Sequence, residues 1–137
     1  MRTCFLIEND EEDQEIFSLA LQEVAPGSNL VVAENGVSAL ALLQADRALL
    51  PSMIFIDMNM PLMNGKECLQ ELKKIGYLRE VPVYIYSTTA DPAAIAEVKA
   101  LGAEDFFEKP SSYHQFTVLL AKLIAGYRLR SHRSCNV

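Results

Sequence analysis

Five short apolar runs punctuate the chain: Thr3 to Ile7, Leu30 to Ala33, Met53 to Ile56, Val81 to Tyr86, and Glu104 to Glu108 with its paired phenylalanines. Between them the apolar positions recur at helical intervals instead. Ile16, Phe17, Leu19, Ala20 and Val24 make one stripe, and Val37, Leu40, Ala41 and Leu43 a second. Leu69, Leu72 and Ile75 form a third, with Lys66, Glu67, Gln70 and Lys73 turned away from it. Asp91-Pro92 starts a fourth helix as N-cap and first helical residue, running to about Leu101, and Ser112 to about Gly126 reads as the fifth. Pro26 to Asn29, Asn35-Gly36, Pro51-Ser52, Asn64-Gly65, Gly76, Gly102 and Lys109-Pro110 supply the breaks.

Strands that alternate with helices of this length predict an α/β domain: a doubly wound five-stranded parallel sheet with right-handed crossovers. The run at Met53 to Ile56 shows no polar alternation, as suits a central strand covered on both faces. The flavodoxin-like order 2-1-3-4-5 sets strands one and three side by side and places Glu8 and Asn9 opposite Asp57 at the carboxyl edge. Ligands bind at that edge because the connections diverge there, although a lone acid after a strand also serves as a turn cap.

Composition narrows the function. The 137 residues suffice for one core and are half hydrophobic and 22% charged, with no apolar run near the roughly 18 residues of a membrane span. The start lacks a signal-peptide pattern, which makes a cytoplasmic address the expectation. A net charge of −6 gives no electrostatic footprint for nucleic acid and argues against direct DNA binding. Cys4, Cys68 and Cys135 have neither disulfide nor zinc spacing, and the first two read as small core residues. One folded unit is expected over residues 1–126, with 127–137 a basic, frayed tail that carries no chemistry and is too short for a further domain.

The predicted topology gathers Glu8 and Asn9, Asp57, Ser87 and Thr88, and Lys109 at one edge from four strands. A carboxylate that attacks a phosphoryl group needs a divalent cation to offset charge, a cation for the transferred oxygens, and a hydroxyl donor. Asp57, the acidic nest, Lys109 and Ser87 match those needs, and the hard oxygen donors point to Mg²⁺. Lys109 taken alone also reads as a structural ion pair. Glu11, Glu12 and Asp13 are explained as favourable charge at a helix N-terminus, and Met58, Met60 and Met63 as adaptable packing.

With these positions in place, the chain resembles the receiver domain of two-component response regulators over about residues 2 to 126, in particular the small single-domain kind. The resemblance implies that Asp57 is the phosphoacceptor and that Glu8 and Asn9 occupy the acidic pair. It implies that Asn59 ligates Mg²⁺ through its backbone carbonyl and that Ser87 is the switch hydroxyl with Thr88 beside it. Lys109 becomes the phosphate-contacting lysine, Pro110 the proline after a cis peptide, and Phe106 the switch aromatic, a position that a plain core residue would also fill. Partners implied are a sensor histidine kinase or histidine phosphotransfer protein and a downstream protein, with no nucleic acid and no membrane insertion. Asn9 departs from the family pattern by losing a charge, which leaves open a phosphorylation-independent interaction module. Thr88 is bulkier than the family's usual neighbour to the switch hydroxyl. An aspartate-nucleophile phosphohydrolase needs a second aspartate two residues on, where this chain has Asn59, so the chain is expected not to be an enzyme. His114 and His132 lie outside the constellation.

Overall fold

The computed structural model describes the backbone of residues 2–46 and 48–135, with side chains to residue 126. Five strands and five α-helices alternate: β1 Thr3–Ile7, α1 Glu11–Val24, β2 Asn29–Ala33, α2 Gly36–Ala45, β3 Met53–Asp57, α3 Gly65–Lys73, β4 Val83–Ser87, α4 Pro92–Ala100, β5 Asp105–Glu108 and α5 Tyr113–Cys135. The strands form one parallel sheet in the order β2-β1-β3-β4-β5. This is the predicted doubly wound topology.

Alternation along each strand divides the core into two layers. Phe5, Ile7, Ile54, Ile56, Val83, Ile85 and Phe106 face one way, packed with residues of α2, α3 and α4 such as Leu43, Leu69, Leu72 and Val98. Cys4, Leu6, Met53, Phe55, Tyr84 and Tyr86 face the other, against Phe17 and Leu21 of α1 and Leu120 and Ile124 of α5. There Phe17 meets Phe55 edge-on at 4.9 Å between ring centroids, and Phe55 stacks on Tyr84 at 5.2 Å. Each such side chain contributes about 1.5–3 kcal/mol by burial. All five residues of β3 are buried, as its unbroken apolar run required.

Side-chain caps fix where the helices begin. Asp10, Asn35, Asn64 and Asp91 each accept a backbone N–H of the first turn, and Asn64 and Glu67 form a reciprocal capping box. Gly65 is required by space: a Cβ there would lie 2.8 Å from Met58 Cα and 3.0 Å from the Asp57 carbonyl oxygen. Helix α3 therefore begins pressed against the backbone that carries Asp57.

Several expected boundaries move. Helix α3 ends at Lys73, and Gly76 opens a short 3₁₀ turn, Gly76–Leu78, where closure of the helix was expected. Strand β4 starts at Val83 because Pro82 has no N–H to give a ladder, although its carbonyl still accepts from Ile54. The largest correction concerns the tail: α5 continues through Gly126 to Cys135, so most of the segment expected to fray is helical. A single glycine costs a helix about 1 kcal/mol relative to alanine, and no proline follows to stop it.

Leu62, in the loop after β3, has φ +70° and is 81% exposed. A left-handed conformation costs an ordinary L-residue roughly 1 kcal/mol, and asparagine tolerates it better. With little burial to lose, Leu62→Asn is expected to stabilise the fold by about 0.5–1 kcal/mol in urea unfolding. An unchanged or lower midpoint would mean that the leucine makes a compensating contact.

Candidate functional site

Register brings the acids together. Ile7 pairs with Ile56, so Glu8, next along β1, lies beside Asp57, while Asp57 itself pairs with Tyr86. By the alternation of the strands, Glu8, Asp57 and Tyr86 point to the α1/α5 side, whereas Ser87 and Phe106 belong to the opposite side.

Glu8 is wholly enclosed. Its Oε1 accepts from the Tyr86 hydroxyl at 2.7 Å and from Lys109 Nζ at 3.1 Å, and its Oε2 accepts the Asp10 N–H at 3.2 Å. Gln14 Nε2 donates to the Glu8 carbonyl at 2.6 Å and ties α1 to the strand end. Asp57, 5% exposed, accepts the Asn59 N–H on Oδ1 at 3.3 Å, with Lys109 Nζ 3.6 Å from the same oxygen. Lys109 makes its shortest contact with Asp13 Oδ2 at 2.8 Å and lies 4.8 Å from the centroid of the Tyr86 ring. Asn59 Nδ2 donates to Ser87 Oγ at 3.1 Å, and the Thr89 N–H reaches the same oxygen at 3.3 Å.

One ammonium thus faces three carboxylates. Burial first, then the hydrogen bond to Glu8 and its charge, push the Asp57 carboxyl up to about 7, against the opposing pull of Lys109 and the Asn59 N–H. Burial alone would lower the pKa of Lys109, but Asp13, Glu8 and Asp57 together raise it. Tyr86 is pushed well above the usual phenol range by burial and by the charge of Glu8. Burial also raises the Cys4 and Cys68 thiols to about 11 and about 12, which suits the inert core role expected for both.

Of the residues singled out in the sequence, Glu8, Asp57 and Lys109 converge as the topology required, whereas Ser87 lies on the other side of the sheet and touches Asn59. Asn9 and Thr88 are exposed at the ends of their strands. Phe106 is 8% exposed and packed among Ile85, Val98 and Ala103. The peptide before Pro110 is trans, as are all peptide bonds among the described residues, which corrects the cis geometry implied by the resemblance. Trans is favoured for X-Pro by about 0.5–1 kcal/mol where nothing overrides it. Here the Lys109 N–H, one residue past β5, also donates to the Ser87 carbonyl at 2.7 Å.

Asp13 and Tyr86 were missed. Asp13 sits in the first turn of α1 and resembles ordinary helix-end charge. The cap at Asp10, which accepts the N–H groups of Glu12 and Asp13, orients that turn toward the strand edge. Tyr86 read as the last apolar residue of a strand, yet a phenol at the end of a buried run needs a partner for its hydroxyl.

Among the described residues no three His, Cys, Asp or Glu side chains converge as a ready-made metal site. Glu8 and Asp57 are nevertheless two adjacent buried carboxylates, with amide and carbonyl oxygens available at Asn9 and Asn59. That donor set fits a hard cation that keeps several of its waters and takes one or two carboxylates from the protein.

The site is thus a buried aspartate at the carboxyl edge of a central parallel strand of a doubly wound α/β domain, flanked by an acid and a lysine. The family model described as "Response regulator receiver domain" matches residues 4–121, and the chain belongs to that family. It is 30% identical over 122 residues to two-component response regulator ORR41 of Oryza sativa subsp. japonica, covering 89% of this chain and 94% of that protein. It is 35% identical over 123 residues to protein-glutamate methylesterase/protein-glutamine glutaminase 3 of Rhodospirillum rubrum, covering 84% of this chain but only 32% of that enzyme. The chain thus spans about a third of that longer relative. The crystal structure of the Mn²⁺-bound response regulator Rcp1 superposes with a TM-score of 0.80 at 20% identity over 90% of this chain and 91% of that one, a likeness of fold. No helix among the described residues is long and apolar enough to cross a membrane.

Proposed function

We propose that this protein receives a phosphoryl group on Asp57 from a phosphohistidine of a sensor histidine kinase or histidine phosphotransfer protein, and passes the signal on by protein–protein contact. The observation that carries the reading is Asp57 itself, with the Lys109 ammonium 3.6 Å from Oδ1 and the Asn59 N–H on the same oxygen. A carboxylate oxygen attacks phosphorus, the P–N bond to the donor imidazole breaks, and the imidazole leaves as the acyl phosphate forms.

Mg²⁺, held by Glu8, Asp57, the Asn59 carbonyl and the Asn9 side chain, would supply charge to the phosphoryl oxygens when bound; Rcp1 is known with Mn²⁺. Lys109 contributes the second cation and shifts its contacts from Asp13 and Glu8 toward the added oxygens. The Ser87 hydroxyl moves from Asn59 to a phosphoryl oxygen, and Phe106 follows it, altering the surface of α4, β5 and α5. The test is mass spectrometry after treatment with acetyl phosphate and Mg²⁺. One base-labile phosphoryl group at Asp57 is expected, whereas an unmodified protein would favour the phosphorylation-independent interaction module.

Asn9 is the feature that favours that second reading. One unit charge about 4 Å away is worth about 4 kcal/mol at an effective dielectric near 20, and desolvation and competing water reduce this to roughly 1–2 kcal/mol. Asn9→Asp is therefore expected to bind Mg²⁺ about tenfold more tightly and to be labelled at correspondingly lower metal concentration. Equal affinities in a matched titration would show that position 9 does not face the metal.

A further inference from the structure

The Tyr86 hydroxyl donates to Glu8 Oε1 at 2.7 Å, and both residues are buried: Glu8 is 0% and Tyr86 7% exposed. We propose that Tyr86 is a positioning residue for Glu8, holding Oε1 so that Oε2 is the oxygen presented to a divalent cation. The inference rests on the metal-assisted phosphoacceptor reading above.

The geometry makes the tyrosine more than packing. A carboxylate has two equivalent oxygens and a rotatable terminal torsion, so its donors decide which oxygen faces which way. Tyr86 and Lys109 both donate to Oε1, and the Asp10 N–H donates to Oε2. The two donors are themselves coupled, because Lys109 Nζ lies over the Tyr86 ring. Tyr86 also pairs with Asp57 across β3 and β4, so its ring runs beneath the phosphoacceptor to reach Glu8. Without the hydroxyl, Oε1 keeps only the flexible Lys109 side chain, which Asp13 and Asp57 also attract, and loses the donor that the strand itself fixes in place. Outer partners that orient a ligating group typically matter by 10–100-fold in metal affinity.

The test is Tyr86→Phe, which keeps the ring and removes the donor. Mg²⁺ and Mn²⁺ affinities would be measured calorimetrically on the unphosphorylated protein, and labelling by acetyl phosphate would be followed as a function of metal. The expected result is about tenfold weaker binding of both ions and an equal rise in the metal needed for half-maximal labelling, with the rate at saturating metal unchanged. Tyr84→Phe, two residues back on the same face, controls for loss of a buried phenol and should leave metal affinity as it is. Wild-type affinity in a folded Tyr86→Phe protein would overturn the proposal, as would a fall in the saturating rate alone. Equal losses in both variants would reduce Tyr86 to packing. A wild-type protein that neither binds the ions nor is labelled would overturn the phosphoacceptor reading itself, and the positioning role with it.

Discussion

Asp57→Asn is expected to take up no phosphoryl group and, with metal chelated, to become increasingly more stable than the parent as pH rises. The first effect follows from chemistry, since an amide of the same shape cannot attack phosphorus as a carboxylate does. The second follows from the environment. The Asp57 carboxyl titrates near 7 in the fold and near its ordinary 3.8 when unfolded, so between those values the folded state holds a proton that the unfolded chain has lost. Its contribution is intact below about pH 4 and is lost as pH rises through 7, because the ionised group then sits against Glu8. The shift corresponds to an upper bound on the order of 4 kcal/mol. The asparagine amide donates to Glu8 at every pH and escapes that loss. Urea unfolding of both proteins in chelator at pH 4.5 and 8 would measure the widening gap. A constant difference would mean that the two carboxyls do not share a proton, and labelling of the variant by acetyl phosphate would place the nucleophile elsewhere.

Local signals carried the fold. The caps at Asn35, Asn64 and Asp91 lie where short polar residues meet the start of a helical stripe, and the buried β3 was written as an apolar run without alternation. The convergence of Glu8, Asp57 and Lys109 followed from topology, because parallel strands all end at one edge. What escaped notice depends on orientation across elements. Asp13 and Glu12 are both acids in the first turn of α1, but only the turn set by Asp10 aims Asp13 at Lys109. Tyr86 and Tyr84 share a strand and a face, and the register beside Glu8 is what gives the Tyr86 hydroxyl its role. The extension of α5 past Gly126 reflects the same limit: the glycine penalty is small, and the residues that follow decide whether the helix continues.

Lys109→Ala is expected to cost about 3 kcal/mol of stability at neutral pH in the absence of metal and to slow labelling about a hundredfold, while Mg²⁺ still binds. The ammonium, 17% exposed, joins the end of β5 to α1 through Asp13 and to the strand ends through Glu8 and Asp57. Removing one partner of a buried ion pair typically costs 3–5 kcal/mol, because the charges left behind lack compensation. The lower end applies here because Asp57 can relieve part of the repulsion by holding a proton, and Tyr86 continues to donate to Glu8. Two consequences separate this account from simple loss of packing. The deficit should shrink on acidification, as Asp57 protonates, and on the proposed metal-binding reading should shrink again on adding Mg²⁺, which would bring positive charge back to the carboxylates. Labelling should remain slow even at saturating metal, since a fixed donor aimed at the developing phosphoryl charge is worth about 10²–10³ in rate. Denaturation at neutral and acidic pH, with and without Mg²⁺, together with acetyl phosphate labelling, reads all three quantities. A variant that loses Mg²⁺ affinity but labels at the parent rate would reverse the assignment, making Lys109 a support for the metal rather than the cation that meets the phosphoryl group.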